Sequence, residues 1–350
     1  MGIQRSAATF SFLEVLDRTF RLYRDNFATI VGIVASIVVP ISLIQIVLSL
    51  LNAPALAATS TLGRNSTSVF SASQTSALCL SSAVTTILAL LQIVLLTGAV
   101  TYVASESYLG RKVTIGEAFR ARRNRFTNLG CGYVIFYVVL VGLGFVVGLA
   151  GAFCTPVWAA LGLVAYVGVA TYAFLAPVLV LEDVGTTTGV NRSWSLGKAR
   201  FWTVLGLVLV LAIITTVINL AFTGVAQFLL LPLRFSGSLV GSQIVNWILT
   251  SISSIFLAPI LPIGLTLLYH DSRNRLEGLD FALEALGSTA HPSDVISPAP
   301  QSGLTSRDLI NVGIILGVTV LVVLIAGSLL PTLYRTLLPG LPALPTVAPR

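Results

Sequence analysis

The chain predicts an all-α fold: a polytopic transmembrane helical bundle with a six-span core of three interfacial-helix plus hairpin repeats and an extra seventh C-terminal span. Three observations carry this reading. From Phe126 to Leu181 there is no Asp, Glu, Lys, Arg or His, a run long enough to cross a bilayer twice. With 55% hydrophobic and only 9% charged residues over 350 positions, and a mean hydropathy of +0.94, the chain has too little polar surface to coat a soluble globule. Its basic residues also alternate by segment between the two ends of successive apolar runs.

Taken in order, the chain opens with an amphipathic stretch. Ser11-Phe-Leu-Glu14 has the spacing of a capping box, and Phe12, Leu16, Phe20, Tyr23 and Phe27 recur at helical intervals opposite Glu14, Arg18, Arg21 and Asp25. Such a helix lies in the interface plane. The first uncharged window runs from Phe27 to Leu51; it is too long and starts too late for a cleavable leader, so it is expected to remain as span 1. A Ser/Thr/Ala-rich loop, 52–77, follows, in which Asn65-Ser-Thr67 is a formal glycosylation acceptor. Span 2 is Leu78 to Ser105.

The pattern then repeats. Thr114-Ile-Gly-Glu117 again has capping-box spacing and leads through Arg123-Asn-Arg-Phe126 into spans 3 and 4. A third copy, starting from Thr188 and lacking the capping Glu, leads through Lys198-Ala-Arg-Phe201 into span 5, Phe201 to Leu233, and span 6, Phe235 to Tyr269. A glycine, Gly32, Gly130 or Gly206, follows each entry aromatic at four or five residues. The domain boundaries are therefore a six-span membrane domain at 1–286, a flexible proline-bearing cytoplasmic linker at 287–307, a seventh transmembrane helix without a partner at 308–330, and a proline-rich external tail at 331–350.

Orientation follows from charge. With the N-terminus inside, sixteen of the twenty Lys and Arg residues and every acidic residue fall on the inner side, which places the protein in a bacterial cytoplasmic membrane with its C-terminus outside. The net charge of +7 then reads as a topology signal and as attraction to anionic head groups, with Arg18, Arg21, Arg24, Arg120, Arg122, Arg123, Arg125, Lys198 and Arg200 as the lipid contacts. It is not a nucleic-acid footprint.

Chemistry-bearing residues are few. The windows themselves contain no ionisable side chain, which argues against proton coupling. Pro40, Pro177, Pro259 and Pro262 interrupt spans 1, 4 and 6 and free carbonyls that could line a cavity. Gln45, Gln92, Asn219, Asn246 and the serines near Ser251 suit hydrogen bonds between helices. The GxxxG pairs Gly144/Gly148 and Gly313/Gly317 suit close helix approach, the second pair offering a partner protein a surface on the seventh helix. Of three cysteines, Cys79, Cys131 and Cys154, two lie within helices as small buried hydrophobes. His291 reads as a solvated linker residue. One polar motif stands out: Tyr269-His270-Asp271-Ser-Arg273-Asn-Arg275-Leu-Glu277-Gly278-Leu-Asp280, at the end of span 6. Its plainest use has Arg273 and Arg275 anchoring at head groups while Asp271, Glu277 and Asp280 pair with them or with the other basic clusters. No metal or cofactor is expected.

Leu13 to Phe27, Asn191 to Trp202 and Tyr269 to Asp280 together resemble the membrane domain of bacterial glycerophosphoryl diester phosphodiesterases and of stand-alone proteins of unassigned function. The resemblance covers about residues 10 to 286 and departs at His270, where the family usually has a second Tyr. It implies a six-helix membrane module. It does not imply phosphodiesterase activity, because in that family the chemistry belongs to a separate soluble barrel, for which this chain has neither length nor residues. The expectation is a non-enzymatic scaffold or a partner- or lipid-binding module. A transporter or lipid translocator is the alternative, and a lipid-modifying enzyme using the Tyr269 to Asp280 segment is the third reading.

Overall fold

The computed structural model describes residues 11–62, 72–120, 123–153, 157–235, 239–287, 290–295, 298–299, 303, 305–318 and 321. Among them the regular structure is helical throughout, with no strand. In chain order the helices are α1 (Phe12–Asp25), α2 (Phe27–Leu62), α3 (Ala72–Tyr108), α4 (Ile115–Arg120), α5 (Arg123–Phe153), α6 (Val157–Leu181), α7 (Thr186–Ala199), α8 (Phe201–Phe235), α9 (Leu239–Leu257), α10 (Ile260–Glu277) and α11 (Leu279–Leu286), followed by a 3₁₀ turn, Pro292–Asp294. Among the described residues six stretches are long and apolar enough to cross a membrane: Phe27–Leu48, Cys79–Tyr108, Arg125–Phe145, Gly162–Leu181, Phe201–Val225 and Ile244–Glu277. They coincide with the first six spans expected from the uncharged windows, and the protein is an integral, multi-pass membrane protein.

A short polar helix precedes each pair of spans, and local chemistry explains where each begins. Ser11 caps α1 by accepting the Glu14 N–H at 3.3 Å. The capping box at α4 is reciprocal: Thr114 Oγ1 accepts the Glu117 N–H at 3.4 Å, and the Glu117 carboxylate accepts the Thr114 N–H at 2.8 Å. Both bonds favour the ionised form and hold the Glu117 carboxyl below its ordinary range. The third helix starts earlier than expected. Gly185, not Thr188, stands at its N-cap, and no side chain caps it.

The buried stripe of α1 also differs from expectation. It is centred on Val15 and Thr19, which are buried, whereas Leu16 and Phe20 are only half-buried. Tertiary contact decides this rotation, because α1 packs on α10, where Gly264 lets Thr19 approach; a Cβ at Gly264 would lie 3.4 Å from Thr19 Oγ1. Gly32 and Gly206 do the same for Ile115 and Phe12, so two of the three entry glycines receive a side chain from a short polar helix. Tyr23 stacks edge-on against Phe27 at 5.5 Å and donates to the Phe256 carbonyl at 3.0 Å, tying α1 and α2 to α9.

The chain forms two compact units, Met1–Phe136 with Ala170–Gln301, and Tyr137–Val169 with Ser302–Arg350. In the first, α2 packs on α3 and α9, α8 on α9, and α10 on α3 and α8. Hydrogen bonds between spans fall on residues singled out in the sequence: Asn219 to Ser253 at 3.4 Å, Gln227 to Asn246 at 3.1 Å, and Ser251 to Ser42 at 2.8 Å. The last span is broken at Ala258 and Pro259 between α9 and α10. Cys79 and Cys131 are exposed rather than buried, since both sit on outward helix faces; Cys154, Asn65 and the tail 331–350 lie outside the described residues.

In the second unit the seventh helix has a partner after all. Its described part, residues 306–318, lies against α6: the Leu316 backbone comes within 3.5 Å of a Cβ built at Gly162, and Tyr166 donates to Asp308 at 2.6 Å. Gly313 and Gly317 have nothing within 4 Å, so it is Gly162 of α6 that permits the close approach. Most of the remaining seventh span lies outside the described residues.

Candidate functional site

The helices outrun the uncharged windows, and that is how ionisable residues come to lie on spans. Across its break at Ala258 and Pro259, the 34-residue stretch Ile244–Glu277 has more residues than the about 20 that a single crossing needs. Its last turns therefore carry the Tyr269 to Glu277 motif on continuous helix, which ends at Gly278 in the left-handed conformation (φ 63°). α3 likewise continues through Glu106 to Tyr108.

At this end the motif turns inward. Arg273 is fully buried, although it was expected to reach head groups. Its Nε bonds the Glu277 carboxylate at 2.8 Å, its Nη1 donates to Tyr269 Oη at 3.1 Å, and Glu182 lies 3.7 Å away. Tyr269 in turn donates to Glu182 at 2.9 Å. Arg192, on α7, completes the cluster. It pairs with Glu182 through Nε and with both Glu277 oxygens at 2.7 Å through Nη2. Burial disfavours the Arg192 charge, yet the two carboxylates outweigh that penalty and hold its guanidinium above the ordinary arginine range. Two carboxylates and two guanidiniums thus cancel in a nearly water-free pocket formed by the end of α6, α7 and α10.

A second group adjoins it. Asp271, also buried, accepts from Arg200 and from Arg275 at 3.1 Å, and Arg200 further donates to Ser272 at 3.3 Å. His270 is buried with its Nε2 3.1 Å from Ser105 Oγ and its ring stacked on Tyr108 at 4.7 Å. The expected pairing of Asp271 and Glu277 with basic groups is therefore present, with partners from α10 itself, Arg273 and Arg275, and from α7 and the residue that ends it. Asp280 differs: its buried Oδ1 finds no partner among the described residues.

Residues expected to form a flexible linker close over the cluster. The Pro298 carbonyl accepts from Arg192 at 3.1 Å and the Pro292 carbonyl from Arg273 at 3.5 Å, while Ala290 packs with Leu279, Leu283, Leu109 and Val295. His291 is not solvated as a linker residue would be. It lies 3.1 Å from Glu106 and 3.1 Å from Arg111, whose own guanidinium reaches Glu106 and the Ala290 carbonyl. Buried arginines need acceptors, and the carbonyls of this proline-bearing stretch supply them.

The basic residues expected at head groups divide into two sets. Arg200 and Arg125 are largely consumed, by Asp271 and Asp183. Arg18, Arg21 and Arg24 each have an acidic neighbour, Glu14, Asp17 and Asp25, so α1 is locally neutral. Lys198 lies 5.8 Å over the Trp194 ring. Lys112 and Arg120 are exposed, and with Arg122 and Arg123, whose side chains lie outside the described ones, they make segment 111–125 the main basic excess.

Glu182, Arg192, Glu106, Arg111 and Ser105 were not singled out from sequence. A signal existed for Glu182, which is the first charge after the long uncharged run, and for Arg192, which stands in the Asn191 to Trp202 stretch. Nothing local marks the others. No group of three or more His, Cys, Asp or Glu suited to a metal occurs among the described residues. Beside Pro177 and Pro262 a recess of about 10 Å³ opens between α3, α5, α6 and α10, room for about one water. The chain matches no protein-family model, no curated protein and no solved structure.

Proposed function

We propose that this is a non-enzymatic scaffold of a bacterial cytoplasmic membrane, oriented with its N-terminus inside, whose basic cytoplasmic face binds anionic lipid head groups and presents a surface to partner proteins. The observation that carries the reading is the engagement of the carboxylates in the Tyr269 to Glu277 motif. Glu182 and Glu277 answer Arg192 and Arg273, and Asp271 answers Arg200 and Arg275, so Asp271 and Glu277 of the motif hold helices together, while Asp280 keeps one oxygen without a partner among the described residues. A general base or metal ligand needs a carboxylate with spare capacity and an approach for substrate. The six-span module suggested by the resemblance to the phosphodiesterase membrane domain accords with this role.

Lipid contact falls to segment 111–125, where Lys112, Arg120, Arg122 and Arg123 exceed the acidic residues. The test is native mass spectrometry of purified protein after addition of phosphatidylglycerol or phosphatidylcholine. Wild type is expected to retain phosphatidylglycerol preferentially, and a variant with Arg120, Arg122 and Arg123 changed to Gln is expected to lose that preference. Equal retention by both proteins would reject the lipid-contact part of the proposal.

A further inference from the structure

Thr101 behaves unlike its neighbours. Thr19, Thr97, Thr215, Thr250 and Thr266 each donate to the carbonyl four residues earlier at 2.6–2.8 Å, the usual way a helix satisfies a threonine in apolar surroundings. The Thr101 side chain is fully buried, and its Oγ1 has no hydrogen-bond partner among the described residues. It lines the recess of about 10 Å³ between α3, α5, α6 and α10. Leaving a hydroxyl dry and unpaired is destabilising, because its desolvation is not repaid.

A residue whose carbonyl lacks its usual helical donor lines the same space. Pro177 lies inside α6 and has no N–H, so the Ala173 carbonyl, four residues earlier, loses the donor that a helix would give it. Ala173 and Pro177 both line the recess, with Tyr133 and Tyr172 forming part of its wall. The recess, about equal in volume to a single water probe, is thus lined both by the unpaired Thr101 and by Ala173, the residue whose carbonyl lost its helical donor, and a buried water needs two to four polar partners. A proline inside a transmembrane helix is commonly accommodated in this way. No carboxylate lines the recess, so a bare cation would meet no counter-charge there.

We propose that the recess is a specific site for one structural water, which bridges Thr101 Oγ1 and the Ala173 carbonyl at the proline interruption of α6. The water links α3 to the segment of α6 that ends at Leu181, next to Glu182.

The sign of one substitution tests the proposal. Thr101→Val keeps the shape and removes the hydroxyl. With a bridging water, the variant leaves the water short of a partner, and the unfolding midpoint of purified protein in micelles should fall by about 1–2 °C, the size expected for one hydrogen bond in a chain of this length. With a dry recess, the same change relieves an unpaired hydroxyl, and the midpoint should stay or rise, which would overturn the proposal. Thr101→Ser, which keeps the donor, should remain close to wild type. Pro177→Ala restores the N–H to Ala173, so Thr101→Val should cost less in that background; strictly additive effects would overturn the bridge. Exchanging Na⁺ for K⁺ at constant ionic strength should leave the midpoint unchanged, and a Na⁺-specific rise would assign the recess to a cation instead.

Discussion

Replacing Arg273 with methionine separates an internal ionic tie from a head-group anchor. Methionine has comparable reach but no charge, and its introduction leaves Glu182 and Glu277 with Arg192 as their shared counter-charge. Arg273 is 0% exposed, bonds Glu277 at 2.8 Å and Tyr269 at 3.1 Å, and lies 3.7 Å from Glu182. Deleting one partner of such a buried group costs about 3–5 kcal/mol. Arg275 is the internal control, two residues further along the same helix. Its side chain is 32% exposed, and Asp271 keeps Arg200 when Arg275 is lost, so Arg275→Met should cost about 0–1 kcal/mol. The gap of about 3 kcal/mol corresponds to roughly a 100-fold difference in the unfolding constant. Denaturant titration in micelles of purely zwitterionic lipid reads this difference without any contribution from anionic head groups. Two variants of equal stability there, or a loss at Arg273 that appears only with anionic lipid, would refute the burial argument. Lysine should not rescue Arg273, because an ammonium cannot reproduce the directions of a guanidinium fork.

Two further outcomes follow from the packing and capping. A Cβ at Gly197 would collide with the Ala170 carbonyl oxygen, so Gly197→Ala should destabilise by about 1–3 kcal/mol, while Gly116→Ala, with nothing within 4 Å, should be neutral or slightly favourable; comparable midpoints in thermal unfolding would contradict this. Because Glu117 is held below its ordinary range by Thr114, the α4 cap is fully formed above the unfolded-state pKa of Glu117 and is lost as pH falls through the lower folded-state value. Carbon-13 NMR titration of Glu117 should show a depressed pKa that returns toward normal in Thr114→Ala, and an identical titration in both proteins would contradict the box.

Much of the fold could be read from charge spacing alone. Uncharged windows located the six spans because membrane helices must be apolar for about 20 residues and polar where they end. The short helices were legible wherever a capping residue marked them, as at Ser11 and Thr114, and misplaced where glycine opened the helix, as at Gly185. Hydropathy could not reveal that α10 continues as helix through Arg273, since a charged turn beyond the hydrocarbon looks the same whether it reaches water or folds inward. The decision rests on partners 85 to 91 residues away in sequence, Arg192 on α7 for Glu277 and Glu182 after α6 for Tyr269 and Arg273, together with carbonyls of Pro292 and Pro298 that no side-chain pattern announces. For the same reason His291 looked like a linker residue: its contacts with Glu106 and Arg111 are made only when the chain doubles back.

The most direct measurement of the scaffold proposal is native mass spectrometry of the protein released gently from its own membrane. The account predicts anionic phospholipid together with a partner protein at fixed stoichiometry. A lone chain that carries one specific small molecule, at one copy per protein, would contradict it and favour transport.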